Sequence, residues 1–511
     1  AMQLKNNGID IVAGNPILEK AAMAVFPWMD DSANMVVFGD SRGGSANFLT
    51  FERLLAYYRQ TGNLEGVRKV SVALRKGIVL GKYCRSDVGW PGICTFVAEI
   101  PEETDVENER ASYSPHHRFI TMKNWEHPYK MMACVYGGTK GYHLTPNGLA
   151  LQLYAYGYAL APDAAAYESY WSKDHAYHQS VTGSNTVLPG YTEGEITINA
   201  MEPSVPSGSF VNEKALTSFL NFVDVSAGEK RRTVIMVENT PYSGYYVDVF
   251  RSDQNDNDYL FHHVGSSMGL SDTKGNCMQM VAEESFQKKY HGGYDWFTNI
   301  RKTDYDGDFV ASWTMPEGIK ARLWMAGIPS REIYQMDAPA TTMNKGLTPG
   351  NISMPPAATP TLLVRQEGVN AASHPFVAVY EAYKDNSPSI RQVETLRGDV
   401  DCVGLKVETV GSKEDYLFST SGVRSYAPSG QMSFRGCLGM VRKHRGEWEC
   451  LYLGNGRMIR AGEISISADV DVYAALYKKD EKWYYSSTGP IRVKLGKKEY
   501  NLTNGYGLYV E

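Results

Sequence analysis

The sequence has no long apolar run. No stretch of 18 apolar residues occurs anywhere in its 511 residues, so no membrane-spanning helix is expected. Cysteine is sparse: seven residues, at 84, 94, 134, 277, 402, 437 and 450, with no CxxC pair and no metal-ligand spacing. An odd, dispersed set argues against a disulfide framework and leaves at most an isolated bridge. Basic runs are missing too. Lys and Arg total 51 against 57 Asp and Glu, a net charge of −6, so no nucleic-acid partner is expected. A polyanionic ligand would have to be met by a local cluster of Arg, Lys and His. There is no signal-peptide pattern. Ala1-Met2 before a polar segment reads as a processing scar, so the native N-terminus is expected to have been removed. No GxSxG elbow and no Ser-His-Asp order appear. The glycine-rich GDSRGG at 39–44 lacks the GK[ST] ending and a preceding long apolar strand, so a nucleotide loop is rejected. No repeat recurs at a fixed period.

What is abundant is aromatic. The chain has 34 Tyr and 9 Trp, which suits sheet faces and also sugar-binding clefts, where a ring stacks on a pyranose. Hydrophobic residues make up 43% and charged residues 21%, the balance of a soluble globular protein of several domains.

Residues 15–80 read as helices. Pro16 suits a first turn and is followed by an apolar stripe at Ile17, Leu18, Ala21, Ala22 and Val25. Phe48, Phe51, Leu54, Leu55 and Tyr58 recur at helical spacing up to a stop at Gly62-Asn63. Val67, Val70 and Leu74 begin another helix, expected to end at Gly77. Short Gly/Asn loops between such helices make αα-hairpins, the unit of α/α toroids. From about Ser112 the period changes to two. Strands are predicted at Lys130–Tyr136, Leu149–Leu160, Glu195–Asn199, Arg232–Val237, Tyr245–Arg251, Phe309–Thr314, Lys320–Met325, Thr361–Arg365 and Phe376–Tyr383. A Pro/Gly/Met/Thr-rich stretch at 338–360 reads as a long surface excursion. The expected fold is α+β: a short N-terminal α/α-hairpin region (1–111, a partial toroid), a large antiparallel β-sandwich (112–386) and a smaller C-terminal β-domain (387–511).

The chain is organised around 141–157, GYHLTPNGLALQLYAYG. A histidine on a Gly/Pro/Asn turn feeds an alternating strand with one apolar and one mixed face, read as half-buried. Side chains at the mouth of such a strand are a common place for chemistry, although a plain hairpin corner has the same pattern. Histidines gather at 116, 117 and 127, at 143, at 175 and 178, and at 262 and 263. Their spacing makes no strong metal motif. Tyr142, His143, Asn147, Asp163, His178 and Asn185 would converge if their strands pair. No carboxylate pair for glycoside hydrolysis can be picked out of the 57 acids.

Four stretches carry a resemblance. GYHLTPNGLALQLYAYG with LAPD at 160–163 resembles the pattern GHGHxDxxSFxLYAxG…LLIDPG. HQSVTGSNTVLPG at 178–190 resembles R(S/T)xxHNTVxVDG. YSGYYVDVFRSDQNDNDYLFHHVG at 242–265 resembles SGYxVDxFRxxGxxxHDYxxHxxG. TPTLLVRQEGVNAASHPFVAVYEAY at 359–383 resembles PxxIxRRxGxxxxFVAVxEPY. Together they resemble the heparinase II/III-like superfamily of polysaccharide lyases.

The resemblance implies eliminative cleavage of a uronic-acid glycan, the acidic polysaccharide partner, by a periplasmic or secreted lyase. Candidate linkages are the rhamnose–glucuronate of plant gums, heparan sulfate and alginate. A base removes the C5 proton of the uronate and the C4–O bond breaks, leaving an unsaturated uronate. His143 matches a catalytic position. Asp163 matches a metal ligand of the zinc-containing members, but Thr145 and Ser184 stand where the two partner histidines would be, so the resemblance does not carry zinc across. Asn147 replaces the family Asp. The family's catalytic Tyr lies upstream of the GDS loop, which here is already at Gly39, so the resemblance implies that this stretch is missing here (an N-terminal half of the same protein then being a partner), supplied by another chain, or replaced. Tyr142 and His117 are the in-chain candidates for the vacant acid/base roles. Arg118, Lys123 and Trp125, with Asn147, His178 and Asn185, are the candidate substrate contacts. The DQNDND run at 253–258 is a candidate calcium loop, or an ordinary polar turn. Two other readings stay open: a non-catalytic glycan-binding protein or fragment, and a glycoside hydrolase.

Overall fold

A computed structural model describes residues 8–37, 45–89, 92, 95–102, 110–115, 118–123, 131–137, 148–163, 171, 175–178, 180–189, 207–208, 216–240, 242–286, 292–340, 358–396 and 401–510. Helices come first. Phe48–Thr61 and Leu64–Val79 form an antiparallel hairpin. Asn47 and Asn63 cap them by accepting from the amides of Thr50 and Gly66, and Gly62 takes the left-handed conformation that ends the first (φ 71°). The predicted stripes meet in one core: Phe48, Phe51, Leu54, Leu55 and Tyr58 against Val67, Val70 and Leu74. Two expectations are corrected. The second helix runs past Gly77 to Val79, because that glycine is where the Phe48 ring presses on the backbone and no side chain fits. The helix Pro16–Met23 buries none of its residues, and Ile17 and Leu18 are exposed. Its ties to the hairpin are the partly buried Ala22 and Met23, which pack on that core, and Tyr58 Oη, which donates to Glu19 at 2.7 Å.

All pairings in the sheets are antiparallel. A five-stranded meander runs in chain order through Ala111–Ser114, Phe119–Lys123, Met132–Tyr136, Ala150–Ala155 and Tyr158–Ala161. An eight-stranded sheet has at its centre Ile319–Met325, Phe376–Lys384, Ser243–Ser252 and Lys230–Thr240. A six-stranded sheet contains Arg331–Ala338, Thr359–Gln366, Asn257–His262 and Val187–Pro189. One core joins these three: Ile120, Val135, Leu151 and Leu153 from the meander, Val234, Tyr246 and Phe250 from the eight-stranded sheet, Tyr259, Phe261 and Leu362 from the six-stranded one. The opposite face of the eight-stranded sheet packs on a ten-stranded C-terminal sheet that begins at Ile390–Thr395.

Seven of the nine predicted strands coincide with observed ones to within a few residues. Glu195–Asn199, and the 341–357 part of the 338–360 excursion, lie outside the described residues. The stretch Leu149–Leu160 is not one strand. It is a hairpin that turns at Tyr156 and Gly157, both with positive φ (53° and 83°). Nor is it half-buried, since every residue of Ala150–Ala155 is inside. The second face is covered by residues 26–37, whose Trp28, Val36 and Val37 pack on Phe119, Tyr136 and Tyr154. On that face Gln152 accepts from the Val37 amide at 3.1 Å and donates back to the Val37 carbonyl. Among the described residues no helix is long and apolar enough to cross a membrane.

Candidate functional site

The strand Ala150–Ala155 begins just after two residues in left-handed conformation, Gly148 (φ 50°) and Leu149 (φ 63°). A leucine there is strained, because its Cβ crowds the backbone. Residues 184–186 hold it in place. Thr186 Oγ1 donates to the Gly148 carbonyl at 2.5 Å, and Leu151 N donates to the Asn185 carbonyl at 2.9 Å. Asn185 is wholly buried and its amide is saturated. Nδ2 donates to the carbonyls of Leu151 and Pro162, both at 3.0 Å; Oδ1 accepts from the His262 amide at 2.6 Å and from His262 Nδ1 at 3.0 Å. The two donations fix the amide's orientation, so His262 carries its proton on Nδ1 and its Nε2 accepts from Tyr177 Oη at 2.7 Å. Burial, reinforced by the neighbouring His178, pushes the His262 pKa down to about 3, so the ring is neutral.

Beneath this lies an ion pair. Arg232, 0% exposed, donates from Nε and Nη2 to both oxygens of Asp248 at 2.8 and 2.7 Å, and Tyr259 Oη donates to the same carboxylate at 2.9 Å. Its Nη1 turns to the other side and donates to the carbonyls of Leu149 (2.6 Å) and Asn185 (2.7 Å). A guanidinium can do this because its five N–H groups are held in one rigid plane.

The structure thus brings Asp163, His178 and Asn185 into one neighbourhood around the strand mouth. Tyr142, His143, Asn147, His117 and Trp125 lie outside the described residues. Arg118 sits half-buried in a turn with φ 57°, its amide donating to the Ser114 carbonyl at 2.7 Å. Lys123 is a correction to the expected sugar contacts. It is 2% exposed and its Nζ donates to the Phe26 carbonyl, so it bolts the 26–28 turn to the meander and does not face an open cleft. Asn185 likewise has its amide engaged within the sheets and orders strands.

Zinc does not fit the described donors. Asp163 is buried, and Ser184, standing where a ligating histidine would be needed, donates its Oγ to Asp163 Oδ1 at 2.9 Å as a neutral hydroxyl. No group of three metal-ligating side chains exists among the described residues. In the 253–258 run, Asp258 is bound bidentately by Arg365 at 2.8 and 2.7 Å and Asp256 Oδ1 accepts from the Gly368 amide at 2.8 Å; the run forms a structural turn.

The sequence reading missed Arg232, Asp248, Thr186 and Tyr177. A signal was available. RRTVIMV and YYVDVF are consecutive strands; the first opens with two arginines and the second carries Asp248 within its apolar run, a charge that would otherwise be buried alone.

The family described as endo-acting ulvan lyase C-terminal domain matches residues 390–478, within the ten-stranded sheet. An endo-acting ulvan lyase from Formosa agariphila is 22% identical over 531 aligned residues, which cover 92% of this chain and 62% of that protein. The chain therefore spans less than two thirds of its curated relative. Among solved structures, heparan sulfate lyase HepC from Pedobacter heparinus aligns with a TM-score of 0.47 at 10% identity, over 79% of this chain and 52% of that one. A heparinase III gives 0.46 at 11%, over 79% and 51%. This chain is similar along most of its length to an ulvan lyase and over 390–478 to the ulvan lyase C-terminal family, and its four motifs resemble those of heparinase-like polysaccharide lyases.

Proposed function

We propose that the chain is the β-rich part of a polysaccharide lyase that cleaves a uronic-acid glycan by β-elimination, with ulvan as its first substrate and endo action. The observation that carries this reading is the match to the ulvan lyase along 92% of this chain. In this reading His143 exchanges a proton at C5 or O4 of the scissile linkage, with Tyr142 or His117 as its acid/base partner. Arg118, Trp125 and Asn147 meet the uronate; His178 is buried. A polymer substrate is met outside the cytoplasm, so the protein is placed in the periplasm or secreted.

The test is ultraviolet absorbance during incubation with ulvan, heparan sulfate, gum arabic and alginate. The expected result is a rise with ulvan, from the new unsaturated uronate, that His143→Ala abolishes. Flat traces with all four glycans overturn the reading. A rise with another glycan alone keeps the elimination and changes the substrate.

A further inference from the structure

We infer that Arg232 and Thr186 are positioning residues for the start of the strand that follows the segment carrying His143. The inference rests on the lyase reading for the role of that histidine, and on the geometry for everything else. Gly148 and Leu149 form the hinge through which residues 141–147 enter the strand. Two consecutive left-handed residues, one of them a leucine, persist only where their surroundings over-determine them. Here the surroundings are two donors on two successive carbonyls: Thr186 Oγ1 on Gly148 and Arg232 Nη1 on Leu149. Arg232 is itself immobilised, gripped by Asp248, which Tyr259 grips in turn. The same Nη1 also fixes the Asn185 carbonyl, so the strand mouth and the 184–186 segment are referred to one buried point.

Asp248 compensates the charge and takes one N–H each from Nε and Nη2, so the Nη1 N–H groups need other acceptors, and the pair alone does not dictate which. Nη1 points at the Leu149 and Asn185 carbonyls, at the start of the strand. Proton transfer from carbon depends steeply on placement, and a displacement of about 1 Å can lower a rate by about a hundredfold. A hinge held by a guanidinium and a hydroxyl, with no mobile side chain between, meets that demand.

Four variants test the inference: Thr186→Val, which removes the hydroxyl but keeps the shape; Thr186→Ser, which restores it; Arg232→Lys; and Val234→Ala, a cavity in the same strand, at a residue fully buried in the core that offers no hydrogen bond to either carbonyl. Thr186→Val is expected to lower kcat on the cleaved glycan by about tenfold with KM within about twofold, and Thr186→Ser to recover most of it. Arg232→Lys is expected to lower kcat further. Val234→Ala, assayed well below its melting midpoint, is expected to keep kcat despite an equal or larger loss of stability. Independently of activity, amide exchange at Leu151 is expected to accelerate in Thr186→Val and not in Thr186→Ser. Unchanged exchange overturns the latch whatever the enzyme does. So does a kcat that follows melting temperature across all four variants. Absence of unsaturated product from the wild-type protein overturns the lyase reading, and the exchange experiment still decides the latch.

Discussion

His262 and His263 are adjacent in sequence and point to opposite sides of their strand. Burial pushes both down to about 3 from an ordinary 6.5. His263 stacks on Trp313 with centroids 4.6 Å apart and accepts from Tyr380 Oη at 2.8 Å, while its Nδ1 donates to the Val264 carbonyl. Folded, both rings are neutral through the mildly acid range. Unfolded, both take up protons near pH 6.5. The unfolded state therefore binds more protons between about pH 6.5 and 3, and stability falls as pH drops through that window, by up to about 1.4 kcal/mol per pH unit for each ring. His263→Gln is expected to reduce that slope by about one proton in urea unfolding at pH 4 to 6. An unchanged slope would show that His263 is not titrating as described. The site was legible in sequence only in part, and for a reason visible at this scale. Motif spacing pointed to Asp163, His178 and Asn185, which do come together. It could not tell an asparagine that touches a ligand from one that ties four backbone and ring groups of its own protein, because both need the same residue at the same place. Lys123 shows the same ambiguity: a cation near Arg118 and Trp125 suggests an anion subsite, and here it meets a carbonyl.

At the level of elements, period was a good guide and burial was not. The alternation from Leu149 onward is real, yet both faces are covered, since residues 26–37 fold across the second one. Such a cover comes from more than a hundred residues away, and no local pattern announces it. Gln152 is its anchor. Gln152→Leu would strand the Val37 amide and carbonyl and the Tyr154 hydroxyl, which donates to Oε1 at 2.6 Å. The expected loss is about 2–4 kcal/mol, from buried groups left without partners. Chemical denaturation measures it, and faster exchange of the Val37 amide locates it. The helical hairpin offers the opposite case, where a favourable propensity should lose. Gly66 lies in the helix Leu64–Val79, and a Cβ there would sit 2.7 Å from the buried Tyr58 ring. Alanine gains about 1 kcal/mol in helix propensity. Overpacking a fixed aromatic costs about 1–3 kcal/mol. Gly66→Ala is therefore expected to destabilise by about 1 kcal/mol, and a higher melting temperature would refute the packing argument.

At the scale of the whole molecule, the boundary expected near residue 387 is where the chain passes from one sheet to another, but the two sheets share a core. Phe222, Val237, Tyr245, Val247 and Val379 of the eight-stranded sheet interleave with Leu405, Leu417, Leu438, Met440 and Tyr452 of the C-terminal sheet. Polar groups cross the same seam. Asp415, 0% exposed, is gripped by Arg442 at 2.7 and 2.9 Å and accepts from Tyr245 Oη at 2.7 Å, while Arg442 Nη2 also donates to the Glu238 carbonyl at 3.0 Å. Neither sheet can leave the other without exposing that apolar face and the paired charge together, so the two should unfold as one unit. Calorimetry is expected to show a single transition for residues 216–510, with no separate melting of the C-terminal sheet. Asp415→Asn breaks the pair and leaves the Arg442 charge buried, at a cost of about 3–5 kcal/mol. Because the seam belongs to both sheets, that variant should move the whole transition downward and keep it single. A transition that splits, with only its C-terminal part shifted, would mean that the C-terminal sheet is an autonomous module and that the shared core does not couple it to the sheets that hold the strand mouth.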